Sequence, residues 1–349
     1  MTTTSCSDCP FPTFESKVDR SKCPTVEPAT CPNITPTSLS LPPSVEHLVG
    51  LYYNDSLSPP LDDCVRVCIE NHTQIEVPEA VTTEVPYVPG VTAHCLLESV
   101  GKPVFHAHSK TFYGAWMRDG FPRTGPDTLK RWLTNHFYGN SLYEYRTEAE
   151  LRRASASRVH HLPHPSDGTN HVFHNGSFYY HRAGFPRIAR YDIANDHYME
   201  TEISPTPAFR LNNYLFNESY SYFDLAVDEN ALWVLYHYED EDFLAVDQLH
   251  VNNLTLIRSW NLTLVKHREV ANGFVICGIL YLVKSSRELQ SQVQIAYDFY
   301  RDKYRQPDIR WINLYRNANM VSYNPFDKRI YIFDHGYLLT VPARIKWRV

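Results

Sequence analysis

From Cys95 onward, short runs of hydrophobic residues alternate with polar turns, whereas hydrophobic residues at helical spacing are rare. Such runs, bounded by Gly, Pro, Asn and Asp, predict β-strands joined by tight turns. The best helical candidate is the charged stretch from Arg146 to Ser155, which could form one short helix or a charged loop. The pattern therefore predicts an all-β domain.

Four segments share one arrangement, in which a β-rich run and a turn are followed by an aromatic or aliphatic strand. Phe178, Leu232, Leu280 and Ile330 occupy equivalent positions in them and lie about 50 residues apart, close to the roughly 40 to 50 residues of a propeller blade. A fifth, degenerate unit fits residues 112–120. We therefore predict a five-bladed β-propeller, in which radial repetition leaves only short sheet edges. The four segments are residues 171–181, 223–238, 273–286 and 320–336.

The stretch before Cys95 has a different composition. It holds more than half of the 24 Pro and none of the 6 Trp, and it is threaded with Thr and Ser. Such a sequence has too little apolar periodicity to offset the entropy of ordering it. We predict that residues 1–94 are a largely disordered stalk or linker, with one short ordered piece within residues 60–79, and that residues 95–345 form the propeller. A stalk carrying O-linked glycans is an alternative interpretation of the first part.

Cysteines and glycosylation motifs point to an oxidising compartment. Six of the 8 Cys lie before Cys95, where they could pair within one chain or link chains into a disulfide-bonded homo-oligomer. Zinc at Cys6 and Cys9 is disfavoured, because neither a second such pair nor a His follows nearby. We expect an extracellular location. N-linked glycosylation motifs occur at Asn33, Asn54, Asn71, Asn175, Asn217, Asn253 and Asn261.

No secretory signal or membrane-spanning run is visible in the sequence, which conflicts with that location. We therefore expect the chain to be a fragment whose signal or anchor lies upstream. The net charge of −6 argues against a nucleic-acid partner and against a basic membrane-surface protein.

Motifs of common enzymes are absent from the sequence: there is no nucleophile elbow, zinc-protease helix or phosphate-binding loop. We therefore predict that the chain is not an enzyme. The acidic run from Tyr238 to Phe243 is expected to be a solvated hairpin tip. A histidine cluster could in principle hold zinc or copper, but it is divided between a Pro-interrupted loop and an alternating strand, so we expect solvated loop histidines. Its members are His160, His161, His164, His171 and His174.

Several long motifs, in order and spacing, resemble the olfactomedin domain family over residues 95–342. The resemblance implies a five-bladed β-propeller in a secreted or cell-surface glycoprotein that binds extracellular protein partners through the propeller faces, in adhesion, matrix organisation or signalling. A propeller that binds or hydrolyses glycans with channel carboxylates is the alternative. The motifs are YGAWMRD (113–119), GTNHVFHNGSFYYHRAGFPRIARYDI (168–193), YFDLAVDENALWVLY (222–236), VANGFVICGILYLV (270–283), IAYDF (295–299) and MVSYNPFDKRIYIFDHGYLL (320–339).

The resemblance also implies a disulfide between Cys95 and Cys277. It further implies that the central channel can hold Ca²⁺, and here the sequence departs from the family, because Ser322 stands where relatives carry an Asp. Calcium affinity depends strongly on the number of carboxylates, so we expect binding to be weak or absent. The alternative is an ion-free channel in which Asp224 bonds to Ser322, Asn272 or water. The family ligands correspond to Asp224, Asn272, the carbonyls of Gly273 and Val321, and Ser322.

Overall fold

The computed structural model describes residues 95–203 and 206–347. The predicted stalk at residues 1–94 lies outside this part, together with its cysteines and the motifs at Asn33, Asn54 and Asn71. The described residues form almost entirely β-structure. The strands are β1 Cys95–Val100, β2 Val104–His108, β3 Gly114–Met117, β4 Arg131–Asn135, β5 Tyr138–Tyr145, β6 Arg158–Asp167, β7 Val172–His174, β8 Ser177–Arg182, β9 Arg187–Asp192, β10 His197–Glu202, β11 Asp224–Val227, β12 Leu232–Tyr236, β13 Phe243–Leu249, β14 Leu256–Lys266, β15 Asn272–Ile276, β16 Ile279–Val283, β17 Gln290–Asp298, β18 Lys303–Arg305, β19 Ile309–Ile312, β20 Ala318–Asn324, β21 Arg329–Asp334 and β22 Tyr337–Trp347.

These strands build five antiparallel units, which we number as blades in chain order. Blade 1 is β3 to β6 and blade 2 is β7 to β10; a single residue pair, Ser166 with Arg182, joins them into one eight-stranded sheet. Blade 3 is β11 to β14, and blade 4 is β15 to β19. Blade 5 combines β20, β21 and β22 with β1 and β2 from the start of the domain. The predicted five-bladed propeller is therefore confirmed.

The first two strands of blades 2 to 5 form the hairpins that the repeat predicted. Phe178, Leu232, Leu280 and Ile330 all lie on the second strand of their blades and are fully buried. Positive backbone φ angles at the turn residues, 47° and 68° at Asn175 and Gly176 for example, permit the tight two-residue connection. The spacing of the hydrophobic runs in the sequence thus reflects the packing of one blade against the next.

Both ends of the domain meet in blade 5. The long strand β22 pairs with β1 along one half and with β2 along the other. A disulfide joins Cys95 on β1 to Cys277 at a hairpin tip of blade 4, across a sequence separation of 182 residues. A cross-link over such a long loop restricts the unfolded chain and ties the closing strand to the neighbouring blade.

Helical structure is scarce in the described part. Helix α1 (Glu148–Arg152) lies within the charged stretch for which the sequence left helix and loop open. The side chain of Thr147 accepts a hydrogen bond from the amide of Glu150, which caps the first turn. No helix in this part of the chain combines the length and hydrophobicity that crossing a membrane requires. The 3₁₀ turns are Pro126–Leu129, Asn217–Ser219 and His267–Glu269.

Candidate functional site: the central channel and the aromatic face

Polar residues lie where the inner strands of the blades begin. Asp224 and Asn272 are the first residues of β11 and β15, Asn170 precedes β7 by two residues, and Asn319 is the second residue of β20. All four are almost fully buried. Because equivalent ends of inner strands converge on the propeller axis, these side chains line one end of the central channel.

Hydrogen bonds connect these residues around the channel. The Asn170 side-chain amide donates to Oδ1 of Asn272 over 3.4 Å, and the Asn272 amide donates to the carbonyl of Ala318 over 3.2 Å. Asn319 Oδ1 accepts from the amide of Gly114 over 3.3 Å. Asn170 and Asn319 were missed by the sequence analysis, although each lies near the start of an apolar inner strand, as Asp224 and Asn272 do.

Asp224 is the acidic residue among these four channel residues. Both carboxylate oxygens are buried, and neither has a hydrogen-bond partner within the described part of the chain. Burial raises the pKa of the Asp224 carboxyl well above its usual value, and the nearby amide of Gly273 offsets only part of this shift. A buried carboxylate without a partner is unfavourable, so the site suits either a protonated acid or a bound cation.

The other residues of the expected calcium set fit an ion incompletely. Ser322 lines a small cavity beside Val172 and Val227, and it makes no hydrogen bond to Asp224 or Asn272. Asp224 therefore makes no hydrogen bond to a side chain within the described residues. No group of three or more His, Cys, Asp or Glu side chains among the described residues is arranged to hold a metal. If Ca²⁺ bound here, Asp224 would supply the negative charge, and amide and carbonyl oxygens would supply the other ligands.

The expectation of solvated loop histidines is wrong for part of the cluster. His160, His161 and His164 lie on strand β6, because the register break beside this strand accommodates its two prolines. His160 is buried and bonds to Glu144 over 2.7 Å. His171 is fully buried without a partner in the described part, and this burial lowers the pKa of its imidazole to about 3. The cluster forms no common ligand set.

An aromatic surface, which we call the aromatic face, lies at the same end of the channel. It consists of the packed rings of Tyr113, Phe137, Tyr214 and Tyr220, together with Phe112, which precedes Tyr113 in the chain and stacks on His335. Ring centroids are 5.2 Å apart between Tyr113 and Tyr220, 4.6 Å between Phe137 and Tyr220, and 5.6 Å between Tyr214 and Tyr220. Phe112 is 62% exposed, while the other four are half-buried. Four of these residues lie in the loops before the inner strands β3 and β11, and Phe137 lies in the turn between β4 and β5. The loops at one end of the propeller thus present them together.

The loop that carries Tyr214 and Tyr220 also covers the channel mouth. Ser219 and Ser221 are fully buried, and the Thr169 hydroxyl donates to the carbonyls of Ser219 and Asn319 over 3.2 and 2.6 Å. At Gly168 an added Cβ would lie 2.7 Å from the Ser221 hydroxyl oxygen. The loop is therefore held closely against the channel, which gives its aromatic side chains fixed positions.

The glycosylation motifs within the described residues lie in different surroundings. Asn253, in the turn before β14, and Asn261, on β14, are exposed. Asn175 is half-buried, and its side-chain oxygen accepts a hydrogen bond from Arg123 over 2.8 Å. Asn217 begins a 3₁₀ turn in the loop over the channel.

The acidic run between β12 and β13 is an exposed hairpin tip, as its sequence suggests.

A family model described as "Olfactomedin-like domain" matches residues 90–348. Among curated proteins, myocilin from dog (Canis lupus familiaris) is 30% identical over 253 residues, which are 70% of this chain and 52% of that protein. Human myocilin is 29% identical over 253 residues, covering 70% of this chain and 50% of the relative. The chain thus spans about half the length of the curated relatives it matches.

Solved structures give more distant similarities. Glutaminyl cyclase from Myxococcus xanthus superimposes with a TM-score of 0.42 at 9% identity and covers 73% of this chain and 97% of its own. A calcium-binding protein, regucalcin, from Agrobacterium tumefaciens gives a TM-score of 0.41 at 9% identity, over 72% of this chain and 98% of its own.

Proposed function

The chain belongs to the olfactomedin-like domain family, and from this membership we propose that it is a non-catalytic extracellular module. It binds a protein partner, such as a receptor or a matrix component, in adhesion, matrix organisation or cell-surface signalling. The aromatic face at one end of the propeller is the binding surface. Family membership supports the general role, and the geometry supports the location of the site.

The observation that carries the proposal is a cluster of four half-buried aromatic rings, with the exposed Phe112 next to Tyr113 in the chain. Aromatic residues are enriched in the cores of protein interfaces and among the residues that contribute most to affinity. Tyr113 and Tyr220 are held by contacts with each other and with Phe137, so they lose little side-chain entropy on binding. An aromatic surface that is ordered before binding is well suited to a protein partner.

Other features support an extracellular location. The Cys95–Cys277 disulfide is of a kind that persists in oxidising compartments. Asn253 and Asn261 are exposed and accessible to glycosylation. We propose that the chain is a secreted or cell-surface glycoprotein, and that the cysteines before Cys95 can link chains into oligomers.

The glycan-hydrolase alternative has less support. Glycoside hydrolysis commonly uses two carboxyl groups, about 5 Å apart in retaining enzymes and roughly 6.5 to 9.5 Å apart in inverting ones. Asp224 contributes the carboxyl group of the channel ring, and its neighbours Asn170, Asn272 and Asn319 are amides. We propose instead that Asp224 holds Ca²⁺ weakly or remains protonated, with a role in stability.

A screen against purified extracellular domains tests the proposal. The 349-residue chain, produced by secretion, is applied to an array of receptor and matrix ectodomains, and binding is measured by biolayer interferometry. We expect saturable binding to at least one ectodomain that Phe112→Ser weakens by at least tenfold. Absence of binding, or binding that Phe112→Ser leaves unchanged, would contradict the proposal, and circular dichroism shows whether the variant is folded.

A further inference from the structure

A groove of about 320 Å³ lies on the outer rim between blades 4 and 5, away from the channel and the aromatic face. The end of β1 and its connection to β2 form one wall, from Ser99 to Pro103. Residues 310–312 of β19 form the other wall, and Val341 and Arg344 of β22 complete the lining. This volume falls within the range of roughly 300 to 1,000 Å³ found for sites that bind small molecules.

Three basic side chains converge on this groove. Lys102, Arg310 and Arg344 are exposed, and none of them forms an ion pair or hydrogen bond within the part of the chain that is described. No acidic residue lines the groove. Glu98, on the adjacent strand β1, is not one of the lining residues. Three like charges without a partner create a positive potential that favours an anion.

The chemistry of the lining favours one kind of anion. Arginine guanidinium groups present forks of donors that match sulfate and phosphate oxygens, and a sugar sulfate has three terminal oxygens that can accept from three cations at once. A carboxylate has only two oxygens. Between the cations the lining is apolar, with Val100, Pro103 and Ile312 available to the faces of sugar rings.

We propose that this groove binds sulfated glycans of the glycosaminoglycan type. Lys102, Arg310 and Arg344 bind the sulfate groups, and the apolar lining contacts the sugar rings. The site is separate from the aromatic face, so the chain could hold a matrix polysaccharide and a protein partner at the same time. The net negative charge of the whole chain does not oppose this, because screening at physiological ionic strength limits charge effects to about 8 Å.

Binding of a heparin-derived hexasaccharide to the full chain, measured by isothermal titration calorimetry, tests the site. The triple variant Lys102→Ala, Arg310→Ala and Arg344→Ala is expected to lose at least tenfold in affinity. The wild-type affinity should also fall as NaCl is raised, because sulfate binding releases counterions. Since all three side chains are exposed, the thermal unfolding midpoint of the variant should match that of the wild type.

The matched control is a triple variant that removes three positive charges outside the groove. Lys110, Lys284 and Arg316 are also exposed and lie outside the groove. Replacing all three with Ala should change the affinity by less than about twofold, because only specific contacts are worth a tenfold change. An equal loss in both triple variants would overturn the proposal, since it would reveal binding through overall charge alone.

Two further ligands distinguish recognition of sulfate groups from recognition of sugar rings alone or of carboxylates. The same hexasaccharide after chemical desulfation should bind at least tenfold more weakly than the sulfated form. A hexaglutamate peptide should likewise bind at least tenfold more weakly. If hexaglutamate binds as tightly as the sulfated sugar, the groove is a site for acidic peptides and the proposal is wrong; no binding of the sulfated sugar also overturns it. Neither result bears on the aromatic face.

Discussion

A carboxylate oxygen of Asp228 accepts a hydrogen bond of 2.6 Å from the backbone amide of Gly278, which links the hairpin tip of blade 4 to blade 3. The other oxygen accepts from the amide of Ala231 and the indole of Trp233 over 3.0 and 2.9 Å. Asp119 of blade 1 plays the same part, since it accepts from the amides of Asn175 and Gly176 at the tip of blade 2. A carboxylate after an inner strand thus fixes the following blade in two places around the ring.

Removing the Asp228 carboxylate should destabilise the fold. In Asp228→Ala, the Gly278 amide and the Trp233 indole lose a buried acceptor, and each unsatisfied donor costs about 1 to 3 kcal/mol. We expect the free energy of unfolding to fall by about 2 to 5 kcal/mol in urea titrations. The control, Asp240→Ala at an exposed hairpin tip, should change it by less than about 0.5 kcal/mol. Similar losses in both variants would count against the interblade bond.

A substitution at Gly278 tests the packing at the same junction between blades 3 and 4. Its φ angle is 71°, and an added Cβ would lie 2.1 Å from the ring of Tyr300. Gly184 has a comparable φ of 79°, yet an added Cβ there would meet nothing within 4 Å. Both Ala variants carry backbone strain, so we expect a loss of about 1 kcal/mol for Gly184→Ala and at least about 3 kcal/mol for Gly278→Ala. Equal losses by thermal unfolding would disprove the clash.

Asp167 should make stability depend on pH. Burial raises the pKa of its carboxyl to about 6, and the amide of Gly168 offsets only part of this shift. Because the folded pKa lies above the unfolded value of about 3.8, this group favours folding fully below pH 4, and its contribution is lost as pH rises through 6. Asp167→Asn should therefore stabilise the protein at pH 7.5, by up to about 3 kcal/mol from about 1.36 kcal/mol per pKa unit.

The gain from Asp167→Asn should be much smaller at pH 4, where the folded carboxyl is protonated and the unfolded one is only partly ionised. Urea titrations at pH 4 and pH 7.5 measure both values. Asp308→Asn, at an exposed position, should have little effect at either pH. A gain of the same size at both pH values would show that the ionised carboxyl is not the cause.

The channel should respond weakly to calcium. With Ser322 in place of an acid, millimolar Ca²⁺ should raise the melting temperature of the wild type by well under about 10 °C. Ser322→Asp adds a second carboxylate and should give a larger calcium-dependent rise, whereas Asp224→Asn should abolish the response. Ser155→Asp, at an exposed site, should behave like the wild type. A wild-type rise of about 10 °C or more would refute the effect assigned to Ser322.

The sequence predicted the fold well, because strand hairpins leave local signals. Asn175-Gly176 indicates a tight turn by itself, and the recurrence of hydrophobic runs at blade spacing identifies the architecture. Blade 5 was harder to foresee, since β1 and β2 pair with β22 from the far end of the domain. Such pairing depends on closure of the ring, for which no short segment carries a signal.

The candidate site was only partly predictable. Asp224 and Asn272 were identified through a family resemblance, whereas Asn170 and Asn319 enter the channel ring because their blades place equivalent strand ends on one axis. The aromatic face was not predicted, since Phe112, Tyr113, Phe137, Tyr214 and Tyr220 come from loops that are distant in sequence. Burial also reversed the expectation for His171, because its solvent exposure depends on tertiary packing and not on local composition.

The aromatic face, at one end of the propeller, is the surface that we propose binds the protein partner. Phe112 and Phe121 offer a matched comparison, because they are 62% and 63% exposed and flank opposite ends of strand β3. The decisive measurement is the dissociation constant of the chain for an ectodomain partner, compared between Phe112→Ser and Phe121→Ser. The account predicts at least a tenfold weakening for Phe112→Ser and less than a twofold change for Phe121→Ser. Equal effects, or a larger effect of Phe121→Ser, would contradict it.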